Sequence, residues 1–176
     1  MNLYLNLDGV LHVNQVTYLP GRMPELDIDG YTVLQHAQLL ADVLAGRSGV
    51  NIVLNTWWSY YLNVDVCLDL LPATLSSRVT GAVLGFSASY IELPHRAREA
   101  EKHIEGSRCK EYLILDHSGA RYQGRYLPHL LAVNEVEGLT TPHAVRELRH
   151  RIDAILSEKQ ARLRNPQQPP GDWRPF

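Results

Sequence analysis

Cysteine is scarce in this chain: Cys67 and Cys109 are the two thiols in 176 residues. So few cysteines exclude a disulfide framework and a thiolate zinc site, and a reducing, cytoplasmic setting is the expectation. Long apolar runs are missing as well. Nothing approaches the ~18 residues that a membrane helix needs, so no membrane association is expected. The N-terminus lacks a basic stretch, and its apolar run is interrupted by Asn6 and Asp8, which does not fit a signal peptide. Charge of one sign is lacking too. A net charge of -2 and a pI near 6.4 argue against a protein that coats nucleic acid non-specifically. The eight histidines form no H-x-x-x-H or H-E-x-x-H pattern. His36, His103, His129, His143 and His150 therefore read as surface or capping residues. No internal repeat is present.

What the chain does have is 45% apolar residues, enough for one ordinary core. Its charges are unevenly spread. Residues 1–70 hold seven acids against two bases, and residues 140–176 hold seven bases against four acids. This polarity fits either a functional gradient or solvated helix faces. The bases from Arg146 to Arg164 likewise suit a phosphate backbone or a solvent face.

Short apolar runs are expected as strands at Leu3–Leu7, Val50–Leu54, Val79–Leu84, Tyr112–Leu115 and Leu130–Val133. Between them lie helical patterns. Val33 to Ala45 recurs at helical spacing, with Asp29 as a possible cap, and Asn63 or Asp65 opens a short helix closed by Pro72. A polar helix follows Pro94, and a final one begins at Pro142 behind Thr140 or Thr141, its apolar face made by Val145, Leu148, Ile152 and Ile155. His12 to Gly30, punctuated by Pro20, Gly21 and Pro24, reads as irregular, and Gly85 to Leu93 as flexible. The alternation predicts a three-layer, doubly wound α/β fold with a mostly parallel sheet. The domain is expected over residues 1–158, with a Pro/Gln-rich extended tail over 159–176 that Trp173 and Phe176 would pin back.

Ligands of such sheets gather beyond the carboxyl ends of the strands. Three strands here stop at polar clusters: Asn6-Leu7-Asp8, Asn55-Thr56 and Asp116-His117. Beside Thr56 stand Trp57, Trp58, Tyr60 and Tyr61, suited to base stacking or, for Trp58 at least, to core packing. His12 suits either the site or a turn.

These clusters carry a resemblance. Leu3-Tyr4-Leu5-Asn6-Leu7-Asp8-Gly9-Val10-Leu11-His12 resembles the first motif of the haloacid dehalogenase-like (HAD) superfamily, an apolar strand followed by D-x-D-G-V-L-H. Ile52 to Trp58 resembles the second motif in its S-S-x-W variety, and Tyr112 to Asp116 the fourth, a strand ending in an acidic pair. Asn134 to Leu139 matches a small capless subgroup that includes the HAD domains of bacterial Swiss Army Knife RNA-repair proteins. The resemblance runs from about residue 1 to 156.

It implies a Rossmann-like HAD fold and phosphatase chemistry. In this family the first Asp of D-x-D attacks phosphorus, the second serves as acid/base, and Mg²⁺ neutralises the phosphoryl oxygens. Carried over by position, Asn6 stands at the nucleophile's place, Asp8 at the acid/base place, and Thr56 supplies the hydroxyl. Arg96 is the favoured third-motif cation, with Arg98 second. The metal ligands implied are Asn6, Asp8 through its backbone carbonyl, and Asp116. Asn55, Arg98 and His117 are further substrate-site candidates.

Two residues depart from the pattern. Asn6 is neutral and too weak a nucleophile for phosphoryl transfer, and His117 replaces the second acid of the fourth motif. Losing two anionic groups weakens Mg²⁺ binding. About forty residues separate the first motif from the second, and about forty the second from the third, too few for a large cap, so an open site is expected. An open site suits a bulky phosphorylated substrate such as an RNA or DNA end, or a lid from a protein partner. Two functions stay open: a Mg²⁺-dependent phosphohydrolase, and a catalytically dead HAD-fold module that binds a phosphorylated ligand or a protein.

Overall fold

The computed structural model describes residues 1–19, 22–87 and 94–164. In chain order it holds β1 (Asn2–Leu5), β2 (Val16–Thr17), β3 (Glu25–Leu26), α1 (Ala37–Leu44), β4 (Asn51–Leu54), α2 (Trp58–Tyr61) and α3 (Val64–Leu70). Then come α4 (Ala73–Ser76), β5 (Val79–Ala82), α5 (Arg96–Gly106), β6 (Tyr112–His117), β7 (Leu130–Val133) and α6 (Pro142–Arg164).

Five strands form one parallel sheet in the order β5-β4-β1-β6-β7. The chain winds outward from β1 through β4 to β5. It then crosses back and lays β6 on the other side of β1. The reversal falls between β1 and β6, the switch point where α/β sheets open a crevice. This is the α/β fold the alternation predicts.

Burial on both faces explains why the strands are continuous apolar runs. Leu3 and Leu5 face a large core with Ile52, Leu54, Leu113 and Leu115, sealed by α1 and α6 through Leu40, Leu44, Leu148 and Ile152. The alternate residues Tyr4, Val53 and Ile114 face a smaller core with Ile104 of α5 and Tyr126. Two caps follow expectation. Asn63 accepts from the Val66 N–H at 3.0 Å, and Thr141 Oγ1 accepts from the Ala144 N–H at 3.2 Å.

The structure corrects several boundaries. The helix expected from Val33 begins only at Ala37, because Leu34 takes a left-handed φ of 56° that no helix accommodates. Its N-cap is His36, not Asp29. The stretch from His12 to Gly30 contains a small antiparallel hairpin, β2–β3. Helix α6 continues through Arg164, so residues 159–164 are helical and not part of an extended tail. Arg162 explains the extra turn, pairing with Glu158 one turn back and with Glu111 across the fold. Residues 165–176, with Trp173 and Phe176, lie outside the described residues, as do Pro20, Gly21 and residues 88–93. Among the described residues no helix is long and apolar enough to cross a membrane.

Candidate active site

Backbone bonds carry the sheet one residue past β1. The Asn6 N–H donates to Leu115 O at 3.1 Å, and the Asn55 N–H donates to Leu5 O at 2.8 Å. Asn6, Asn55 and Asp116 thus end three adjacent strands side by side, and all three are buried. Beyond Asn6 the chain turns tightly, with Leu7 O accepting from both Val10 and Leu11 N–H. Gly9 makes that turn possible. Its φ is +69°, and a Cβ there would lie 2.7 Å from the His117 Cβ.

Asp116 is the hub. Its Oδ1 accepts from Asn6 Nδ2 at 2.9 Å, Arg96 Nη2 at 3.1 Å and the His117 N–H at 2.8 Å. Its Oδ2 accepts from Arg96 Nη1 at 2.6 Å and from the Tyr122 hydroxyl at 2.7 Å. Arg96 is brought here by α5, whose first residue it is, and Nη1 also donates to Asn55 O at 3.0 Å. Burial would lower the Arg96 pKa, but the charge and hydrogen bonds of Asp116 outweigh it and raise the value. Tyr122 is held well above the usual phenol range, first by burial and then by the adjacent Asp116 charge.

Asp8 sits in a separate nest of N–H and O–H donors. Trp58 Nε1 donates to its Oδ1 at 2.7 Å, His12 Nε2 approaches the same oxygen at 3.1 Å, and the Tyr18 hydroxyl donates to Oδ2. His12 Nδ1 faces the Leu34 N–H at 3.4 Å, so Nε2 carries the proton offered to Asp8. Tyr18 reaches in from the hairpin, its ring stacked on Tyr61 at 4.7 Å. Burial, then Asp8, raises its phenol pKa well above the ordinary value.

The sequence-derived candidates separate accordingly. Asn6, Asp8, Asn55, Thr56, Arg96 and Asp116 are all buried at the strand ends. Thr56 Oγ1 lies 3.4 Å from the Trp58 N–H, and Ser59 Oγ donates to Thr56 O at 3.0 Å. Asn55 Nδ2 donates to the Tyr122 hydroxyl at 2.7 Å, while its Oδ1 has no partner among the described residues. His117 is at the rim, Nδ1 accepting from the Gly119 N–H at 3.1 Å. Arg98 is exposed on α5, because two residues along a helix turn it to the far side from Arg96. Cys67 is buried and its thiol is pushed up to about 12 by that burial, so it is unreactive.

Outside the buried cluster lies a cleft of about 380 Å³, lined by Trp57, His95, Arg96, His117 and Arg121 among others. The Arg96 guanidinium is already committed to Asp116, so the Arg121 guanidinium and the imidazoles of His95 and His117 are the groups of this lining that suit an anionic occupant. Four participants escape a reading of the sequence: Tyr18, Tyr122, Arg121 and the indole N–H of Trp58. Tyr18 and Tyr122 sit in segments with no periodic pattern. Trp58 is legible as buried, but nothing in its spacing marks it as a donor to Asp8.

The family model described as "HAD domain in Swiss Army Knife RNA repair proteins" matches residues 2–144. The chain belongs to this family. Comparison with curated proteins and with solved structures returns no match. Membership supports a HAD-like, phosphatase-type function at the coarse level.

HAD proteins generally use Mg²⁺, and the residues of this HAD domain fit that ion poorly. Both Asp116 oxygens and both Asp8 oxygens are engaged by N–H and O–H donors, and the Asn6 side chain presents its nitrogen to Asp116. Among the described residues no group of three or more His, Cys, Asp and Glu is placed to hold a metal.

Proposed function

We propose that this HAD domain binds a phosphorylated nucleic-acid end in its open cleft and retains it without turnover. One observation carries the reading. At the nucleophile's position, Asn6 is buried with its amide nitrogen donating to Asp116 and to Asp8 O, at 2.9 and 2.8 Å. A neutral amide held by these bonds is too weak a nucleophile to attack phosphorus. The cleft supports the ligand class. Arg121, His117 and His95 supply positive or proton-donating groups, and Trp57 offers a face on which a base can stack.

A second reading is favoured by the arrangement at that same position, where the Asp8 carbonyl and Asp116 meet Asn6 and Arg96 pairs with Asp116. In it, a form with aspartate in place of Asn6 is a phosphohydrolase, and that is the form in which the family's Mg²⁺ has its ligands. Asn6→Asp restores the attacking carboxylate and tests both readings together.

The experiment measures binding of oligonucleotides with phosphorylated and with hydroxyl ends, as RNA and as DNA. It also measures phosphate release with Mg²⁺ by this chain and by Asn6→Asp. The expected result is preferential binding of phosphorylated ends and no release by this chain. Release by the unaltered chain overturns the claim of retention without turnover. Equal binding of both kinds of end overturns the ligand. Release by the Asn6→Asp variant alone supports the second reading for that variant.

A further inference from the structure

The three groups that the family uses to hold its cation do meet in this chain, but they meet around a nitrogen. Asn6 Nδ2 lies 2.8 Å from Asp8 O and 2.9 Å from Asp116 Oδ1, so both amide protons are spent on the two oxygens that would ligate a metal. The amide oxygen is committed in the opposite direction, accepting from the Leu7 N–H at 2.9 Å. Turning the amide over would set oxygen against two oxygens and NH₂ against an N–H, losing three hydrogen bonds. The network therefore fixes its orientation.

Arg96 closes the other side. Its two terminal nitrogens take one Asp116 oxygen each, at 2.6 and 3.1 Å. With Asn6, Tyr122 and the His117 N–H, five donors converge on the two oxygens. A carboxylate offers about four lone-pair sites, so none is left over. Mg²⁺ requires bare oxygen at about 2.0–2.1 Å, and here it would also meet an adjacent, desolvated guanidinium.

We infer that the Asn6 amide and the Arg96 guanidinium together take the place of the family's divalent cation, so that this strand-end site is assembled without Mg²⁺. The amide ties together the Asp8 carbonyl and Asp116, the groups that would hold a metal, and the guanidinium supplies the compensating charge. The inference stands on Asn6, Arg96 and Asp116 and does not depend on which ligand occupies the cleft.

The test uses the full chain with no oligonucleotide present. Thermal melting is recorded in EDTA and in millimolar Mg²⁺, and Mn²⁺ is titrated while its electron paramagnetic resonance signal is followed. The expected result for the unaltered chain is no melting shift and no Mn²⁺ uptake that depends on Asp116. Asn6→Asp places a third carboxylate beside Asp8 and Asp116, so it should melt lower in EDTA, recover with Mg²⁺ and bind Mn²⁺. Stoichiometric Mn²⁺ uptake by the unaltered chain, abolished by Asp116→Asn, overturns the inference. So does a folded Asn6→Asp chain that binds no ion, because exclusion would then not depend on the amide. If Asn6→Asp does not fold, the titration of the unaltered chain with its Asp116→Asn control decides alone.

Discussion

Asp8 and Asp116 are both buried carboxylates at the ends of the central strands, yet their surroundings are built on opposite principles. Asp116 is neutralised by a full positive charge, the Arg96 fork, and then saturated by neutral donors. Asp8 is solvated by N–H and O–H groups of Trp58, His12 and Tyr18, spread over three segments of the chain. A charge paired with a charge is secure only while both partners remain. Dispersed among dipoles, it loses less with any one of them. The difference identifies Asp116 as the fixed centre of the site and Asp8 as its adjustable side.

Removing Arg96 should break this contrast most sharply. Arg96→Met leaves Asp116 buried without a cation and is expected to cost about 3–5 kcal/mol in chemical denaturation. Combining it with Asp116→Leu should recover much of that loss, and a purely additive double mutant would show that the pair is not coupled. On the Asp8 side, Trp58→Phe removes one donor to a charged oxygen and should cost about 1.5–3 kcal/mol by the same measurement.

The tyrosines sharpen the comparison through pH. Tyr18 and Tyr122 have raised pKa values in the folded protein, while an unfolded phenol titrates near ~10. Below that value both states are protonated and the stability is fully present. As pH rises above it, the unfolded chain releases protons that the folded one retains, so stability falls. Phe at either position should flatten the alkaline decline seen in urea melts at successive pH values, and an unchanged slope would contradict the raised values.

The smallest effect belongs to a surface pair that serves as a reference. Arg47 holds Asp153 through two bonds of 2.7 and 2.8 Å, with the Asp153 side chain half exposed. Asp153→Asn should cost less than about 1 kcal/mol. A loss as large as that of Arg96→Met would mean that burial does not set the scale.

The sheet is legible in the sequence because its strands are apolar on both faces and end at turn residues. Leu130–Val133 falls where the pattern puts it, and the other core strands within a few residues. The strand-end polar residues are legible for the same reason, since Asn6, Thr56 and Asp116 each follow an apolar run. What the pattern cannot carry is a side chain's partner across the fold. Tyr122 lies six residues past Asp116 on an irregular segment, and its role exists only because the chain folds back over Asn55. Leu34 defeats the pattern for a related reason. Its spacing is helical, but a positive φ there starts the helix late.

The hairpin over Asp8 has a consequence for measurement. Its two strands are two residues each, so they contribute little ladder of their own, and the stack on Tyr61 and the hydroxyl on Asp8 hold it in place. Any ligand that offers Asp8 a proton or a competing hydrogen bond must loosen or tighten that grip. Deuterium uptake at the Asp27 amide, which donates to Gln15 O at 2.9 Å, then becomes a clock for events at a carboxylate buried beneath it.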